Sequence, residues 1–232
     1  MTTVGPYATL VAAHGLSDSH RLVLAEIPDG ARVLDVGCAT GYLAAELVAR
    51  GCTVDGVEFD PDAAQQARAH CREVVVGDLE APLTHGEVER MLAGVRPDVI
   101  VCADVLEHLR DPWAVLAWLR TLLDPAAGTA VVSLPNTAHW TARRALAGGR
   151  FPYADHGLFD RTHLRFFTRD SAGELATRAG FAVRRERPVG APLPLESRVP
   201  ALGRVRDPFV RRCPELLALQ FVLVLSPSDQ RP

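Results

Sequence analysis

Apolar and polar positions follow two interleaved rhythms over the first 136 residues. Short apolar, β-branched runs recur: ARVLDVG (31–37), TVDGVEFD (53–60), EVVVGD (73–78), PDVIVCADVL (97–106) and GTAVVSLPN (128–136). Each has the length of a buried strand. Between them lie stretches with helical spacing. SDSHRLVLAEI (17–27) carries Leu22, Val23 and Ile27 and ends at Pro28-Asp29-Gly30. TGYLAAELVARG (40–51) sets Leu43, Leu47 and Val48 on one face and stops at Gly51. PDAAQQARAHC (61–71) opens with a proline, which the first helical position tolerates. EVERMLAGV (87–95) and DPWAVLAWLRTLLDP (111–125) complete the series. Such alternation requires parallel strands joined by right-handed crossovers. The prediction is a doubly wound α/β domain with helices on both faces, whose ligands gather beyond the C-terminal strand ends.

After residue 136 the rhythm changes. TAHWTARRALAG (137–148) reads as a helix, and 148–168 as a long insert rich in Gly, His, Asp, Arg and aromatic residues. Thr168 is placed to cap a helix over 169–179 that Gly180 ends. FAVRRERPVG (181–190) and LLALQFVLVLSP (216–227) are strands, with proline-rich 191–208 between them. The full expectation is a mostly parallel, seven-stranded, Rossmann-like sheet with an antiparallel last strand, in one domain spanning 1–232. Residues 1–30 form a cap, 31–136 the ligand-binding core, and 137–168 with 191–208 the inserts that cover a substrate.

Composition narrows the class. Of 232 residues, 48% are hydrophobic and only 6% aromatic, so aliphatic side chains fill the core. No apolar run approaches the ~20 residues of a membrane span, and MTTVGPYATL lacks the pattern of a secretory signal. The five cysteines are scattered and odd in number, which suits reduced thiols in a cytoplasmic protein. All 25 basic residues are arginine. Residues 1–140 hold 9 of them against 19 acids, a net of −10, whereas 141–232 hold 16 against 9, a net of +7. The halves either play separate electrostatic roles or neutralise each other.

VLDVGCATGY (33–42) carries the candidate chemistry. Gly37 and Gly41 let the backbone approach a ligand where a strand gives way to a helix N-terminus. A dinucleotide site needs G-x-G-x-x-G. Here Ala39 replaces the middle glycine, and Tyr42 would crowd a pyrophosphate. S-adenosyl-L-methionine has no phosphate. It needs close backbone contact, an acid near its ammonium (Asp35), an acid for the ribose diol (Glu58) and a partner for the adenine amino group (Asp78). Phe59 and Leu79 are placed to sandwich the adenine.

These stretches resemble the class I S-adenosylmethionine-dependent methyltransferases, and the resemblance covers nearly the whole chain. VLDVGCATG is similar to their first motif, VEFD to their ribose-binding acid, VGDL to their adenine-contacting acid and CADVLEHL (102–109) to the motif after the fourth strand. GLFDRTHLRFFT (157–168) is similar to a segment of bacterial small-molecule members. The resemblance implies cofactor contacts from Tyr7, Asp35, Gly37, Cys38, Ala39, Gly41, Tyr42, Glu58, Phe59, Asp78, Leu79, Ala103, Asp104, Val105 and His108. It also implies methyl transfer to an oxygen or nitrogen of a small molecule, such as a natural-product or sugar intermediate, with S-adenosyl-L-homocysteine as product.

If the acceptor is a hydroxyl, a base is needed, and His163, His156 and His108 are the candidates. Structural roles compete for each, including a tie of Arg165 to an acid. His139 and Trp140 are candidates to line the substrate cavity. Arg143, Arg144, Arg150, Arg161 and Arg165 either form a solvated face or receive an anionic or carrier-bound acceptor. Asp104 and Asn136 lie at neighbouring strand ends, but the acids are too sparse to expect a metal. A homodimer is in keeping with the class. Nucleic acid is disfavoured by the negative net charge and the absence of lysine. Two rivals remain: a protein of this fold that binds the cofactor without methylating, as a pericyclase, decarboxylase or structural partner, and a dehydrogenase.

Overall fold

A computed structural model describes residue 11, residues 15–191 and residues 201–228, with backbone only for 201–203 and 205. Tyr7, His14 and residues 192–200 therefore lie outside the described residues. The strands are β1 (Arg32–Val36), β2 (Thr53–Glu58), β3 (Glu73–Val76), β4 (Val99–Ala103), β5 (Thr129–Pro135), β6 (Phe181–Gly190) and β7 (Ala218–Pro227). The helices are α1 (Asp18–Ala25), α2 (Tyr42–Ala49), α3 (Pro61–Ala67), α4 (Pro82–Leu92), α5 (Pro112–Leu122), α6 (Trp140–Ala147), α7 (Arg169–Arg178), α8 (Ala201–Arg212) and α9 (Pro214–Leu217). One sheet runs β3-β2-β1-β4-β5-β7-β6. The first five strands are mutually parallel, and β7 is antiparallel to both β5 and β6. No helix among the described residues is long and apolar enough to cross a membrane.

Strand pleating divides the core in two. Leu34, Val36 and Ile100 join a cluster with Leu116, Leu119 and Phe221, while Val33 and Val101 join Val23, Leu43 and Leu47 on the other face. Successive residues of β1 thus feed opposite layers. By that parity Asp35 shares the Val33 face. The connection reverses direction between β1 and β4, which opens the crevice at their C-terminal ends.

Caps set most of the helix limits. The Thr168 hydroxyl accepts from Ser171 N–H and starts α7 in a capping box. Asp60 and Asp111 cap α3 and α5 by accepting first-turn N–H groups, without a reciprocal bond, and each is followed by proline. Three expectations need correction. Val48 is 43% exposed, and Ala44 takes its place in the buried stripe of α2. The helix expected at 87–95 starts earlier, at Pro82, because that proline supplies a first-turn residue. The described part of 191–208 is not irregular: residues from 201 belong to α8, and Val210 of that helix packs against Gly190. The unequal charge of the two halves serves to join them. Glu26 of α1 receives Arg185 at 2.8 Å and Arg187 at 3.1 Å, and Asp18 receives Arg206 at 3.1 Å.

Candidate active site

Beyond β1 the chain bends through Gly37 (φ 70°), Ala39 (φ 48°) and Gly41 (φ 80°). Gly37 and Cys38 both donate to Val57 O, at 2.8 and 3.1 Å. A Cβ on Gly37 would stand 2.6 Å from Val105, and one on Gly41 would stand 2.9 Å from the Ala67 backbone. Gly37 therefore clears the crevice, whereas Gly41 lets the loop pack on α3. The Glu58 carboxylate holds this loop. Its Oε2 accepts from Ala39 N–H at 2.8 Å, and its Oε1 accepts from Phe59 and Asp60 at 2.8 and 2.9 Å. A carboxylate offers about four acceptor positions, so one remains for a ligand.

A cavity of about 400 Å³ opens there, walled by Gly37, Glu58, Phe59, Asp78, Leu79 and Asp104 among others. Val105 and His108 complete the predicted residues that reach it. Asp35, Cys38, Ala39, Gly41, Tyr42 and Ala103 do not: Cys38, Ala39 and Gly41 belong to the loop itself, and Asp35 is buried in β1. Asp35 is 1% exposed and its Oδ2 has no hydrogen-bond partner. Burial, with the Glu58 charge second, pushes its carboxyl up to about 7. Glu80, which the sequence reading did not single out, also walls the cavity and accepts from the Arg110 and Asp111 N–H groups. Its signal was its place two residues after Asp78. This donor set suits a nucleoside sulfonium: carboxylates for hydroxyls and amines, leucine for a flat base, and a buried carboxyl under the loop.

A second cavity, also about 400 Å³, lies on the other side of Asp104 and is walled by His20, Glu107, His156, His163 and Gln220 among others. Asp104 walls both. It sits in the left-handed region (φ 57°), a sparsely populated conformation for a residue with a side chain. Ser133 Oγ and Gln220 Nε2 hold its Oδ1 at 2.7 and 2.8 Å, and its N–H donates to the same Ser133 hydroxyl at 3.0 Å. Ser133 of β5 and Gln220 of β7 thus fix one carboxylate, just beyond β4, where the two chambers meet.

The insert closes over this point through the backbone. Leu164 and Arg165 N–H both donate to Glu107 O, at 2.8 and 2.9 Å. That tie seats His163 beside the 3₁₀ turn Leu106–His108. The His108 and His163 rings meet edge-on at 4.9 Å. Glu107 is 1% and His163 is 7% exposed, and Glu107 Oε2 and His163 Nδ1 lack partners. Burial first and Asp104 second raise the Glu107 carboxyl well above its usual range. Burial and neighbouring His108 lower the His163 imidazole, against the pull of Asp160 and Asp104. His20 is likewise lowered by burial, with Asp104 opposing. Glu107 lies inside the CADVLEHL stretch, where nothing in the sequence marks it as buried with an unpartnered oxygen, and His20, a capping-box histidine, carries no motif of its own.

Other candidates have different work. His139 caps α6 by accepting from Thr141 N–H, and neither it nor Trp140 walls the chamber. Asn136 spends its side chain on the backbone of Ala138, Glu215 and Ala218. Arg165 bonds Arg110 O and lies over Trp113 instead of pairing an acid. Arg143 bonds Ala138 O, Arg144 covers Trp140 and Arg161 pairs Asp155. None of these arginines, nor Arg150, walls the second chamber.

Sheet order, the antiparallel last strand and a glycine-bent loop between acidic strand tips define the class I S-adenosylmethionine-dependent methyltransferase fold. The chain belongs to the methyltransferase domain family, whose model matches residues 11–186. It is 29% identical over 157 residues to a ubiquinone biosynthesis O-methyltransferase of Aeromonas salmonicida, covering 67% of this chain and 64% of that protein. The match thus spans less than two thirds of that relative's length. Among solved structures, an S-adenosylmethionine-dependent methyltransferase from Thermotoga maritima superposes with a TM-score of 0.64 at 16% identity, covering 96% of this chain and 95% of the other. Magnesium protoporphyrin IX methyltransferase from Synechocystis, with S-adenosylhomocysteine bound, gives a TM-score of 0.56 at 17% identity, covering 95% and 80%. At such identities the likeness is one of fold.

Proposed function

We propose that this protein transfers a methyl group from S-adenosyl-L-methionine to a hydroxyl oxygen of a small molecule. The single observation that carries the reading is the pair of chambers that share Asp104. One has the acids and leucine that suit the donor, and the other is a separate, less polar room for an acceptor. The donor supplies an activated methyl on a sulfonium, so the chain contributes orientation and exclusion of water. Glu58 and Asp78 hold the ribose and adenine ends, and Asp35 supplies charge for the ammonium end. The acceptor oxygen stands against Glu107 and His163, and His108, on the donor-cavity side of the same cluster, helps them ease the loss of its proton. The exposed His156 at the chamber's rim accepts that proton or passes it to water.

Oxygen is favoured over nitrogen by this cluster of buried polar groups and by the O-methyltransferase name of the sequence relative. The arginines support an anionic or carrier-bound acceptor less, since most are committed to neighbouring groups. The acceptor class we infer is therefore a hydroxylated natural-product or sugar intermediate. The test is release of S-adenosyl-L-homocysteine with a panel of phenols, catechols and sugar derivatives. Turnover confined to hydroxyl-bearing compounds is expected. Donor binding without turnover on any of them would favour a non-methylating protein, and turnover confined to amines would move the reaction to nitrogen.

A further inference from the structure

We propose that Glu107, His108 and His163 form a site for one divalent transition ion of the zinc type, with an open position toward the acceptor chamber. The inference rests on the O-methylation reading for its purpose, but not for its geometry. One ligand atom from each of the three side chains lies within 4.8 Å of the other two. A point between them is then no more than about 2.8 Å from each atom. Zinc–nitrogen and zinc–carboxylate bonds run at about 2.0–2.2 Å. Rotamer adjustments of under an ångström therefore close the site.

Three further observations point the same way. Glu107 Oε2 and His163 Nδ1 are buried polar atoms without partners, in residues 1% and 7% exposed. Two such orphans in one spot are costly unless something binds there. The third observation concerns His108. Thr162 Oγ1 donates to Asp160 Oδ1 at 2.7 Å, so it can only accept from His108 Nδ1, 3.1 Å away. The Thr162 carbonyl accepts from the same nitrogen at 3.3 Å. His108 thus carries its proton on Nδ1 and presents the Nε2 lone pair, as metal-bound histidines held by a carbonyl do.

Two imidazoles and one carboxylate suit zinc and its neighbours better than magnesium, which prefers an all-oxygen shell. Three protein ligands are also the number that leaves a catalytic position open. An acceptor hydroxyl entering that position would ionise near neutral pH, as zinc-bound water does. Its O–H bond breaks and the proton passes to water at the chamber mouth. The oxygen lone pair then takes the donor methyl, and the pair of the broken S–C bond stays on sulfur. Asp104 and Glu107 offset the added positive charge beside the sulfonium.

The experiment uses the whole chain, stripped with a chelator and titrated with Co²⁺ as a visible stand-in and with Zn²⁺ by calorimetry. One equivalent is expected, with tetrahedral Co²⁺ absorption. Glu107→Gln and His163→Asn should each weaken binding at least a hundredfold while melting cooperatively. X-ray absorption of the zinc-loaded wild type covers the case in which a variant fails to fold. It should show nitrogen and oxygen neighbours only. Absence of stoichiometric binding by the wild type, unchanged affinity in both folded variants, or a sulfur neighbour from one of the cysteines would overturn the site. S-adenosyl-L-homocysteine binding, measured separately, reports on the methyl-transfer reading, so either idea can fail alone.

Discussion

The two chambers that meet at Asp104 are built on opposite terms. On the donor side, Glu58 is exposed to the cavity, yet both its oxygens already accept backbone N–H groups. On the acceptor side, Glu107 and His163 are buried deeper, and each keeps a polar atom with no partner. The first wall is finished before a ligand arrives: its carboxylate orders the loop and keeps one acceptor position free. The second wall keeps unsatisfied groups where we propose the acceptor stands. Satisfied and unsatisfied polar groups are thus largely separated in space. Asp35 is the exception on the donor side, a buried carboxyl with an orphan oxygen under the loop.

That exception gives the largest expected effect. The Asp35 carboxyl stands at about 7 in the folded chain, above the roughly 3.9 of an unfolded aspartate. The folded state therefore holds the extra proton. The resulting stability is complete below about pH 4 and is lost as pH rises through about 7, by roughly 4 kcal/mol at most. Chemical denaturation of the ligand-free protein should show Asp35→Asn equal to wild type near pH 4.5 and more stable by a few kcal/mol at pH 8. Parallel curves would show that Asp35 is not a buried acid waiting for a cation. Binding of the donor's ammonium should in turn release a proton near pH 6.5, seen as a buffer-dependent calorimetric heat.

Glu58→Ala removes the loop's anchor and, with it, the proposed ribose partner. Affinity for S-adenosyl-L-homocysteine should fall at least tenfold, as loss of a charge-assisted bond implies. Calorimetry on the folded variant checks it. Unchanged affinity would mean that the carboxylate serves the loop alone, and the donor side would lose its claim to be a prepared wall.

Gln220→Leu probes the acceptor side more gently. It deletes one of the two side-chain bonds that hold Asp104 Oδ1 and leaves Ser133 in place. Turnover should drop about fivefold, on the scale of one ordinary net hydrogen bond because Ser133 still holds the carboxylate, while donor affinity changes less. An equal loss in donor affinity would show that the chambers are one site energetically.

Legibility in the sequence divides along the same line. Each core strand, and the glycine-bent loop with its acids, could be read from period and motif because local rules and tertiary packing agree there. Glu58, Asp78 and Asp104 reach a cavity wall as their strand-end positions imply. Gly41 and Asp35 show the limit: both are in the motif, but sheet parity and the approach of α3 set what they face. The acceptor chamber was less readable. His163 comes to Glu107 through backbone bonds between residues more than fifty positions apart, and Gln220 reaches Asp104 from β7, 116 positions away. His139 and Trp140 had the right chemistry and the wrong place, since the helix cap claimed the one and the surface the other. Residue type announces capacity, and only the fold decides which capacities meet.

The smallest effect concerns Ala39, where the family motif usually has glycine. Its φ of 48° is left-handed, and the strain there is borne by a side chain that does no visible binding. Left-handed geometry costs a residue with a Cβ roughly 1–2 kcal/mol. Glycine recovers that but surrenders about 0.4–1 kcal/mol through the freedom of its unfolded chain. Ala39→Gly should therefore stabilise the protein by about 0.5–1 kcal/mol, read from the denaturant midpoint at constant slope. The Ala39 N–H still donates to Glu58 in the variant, so donor affinity should stay within twofold. A gain in stability with affinity intact would confirm that the loop's order comes from the Glu58 anchor. A loss of affinity would show instead that the alanine methyl itself stiffens the wall, and the donor side would then owe its readiness to strain as the acceptor side does.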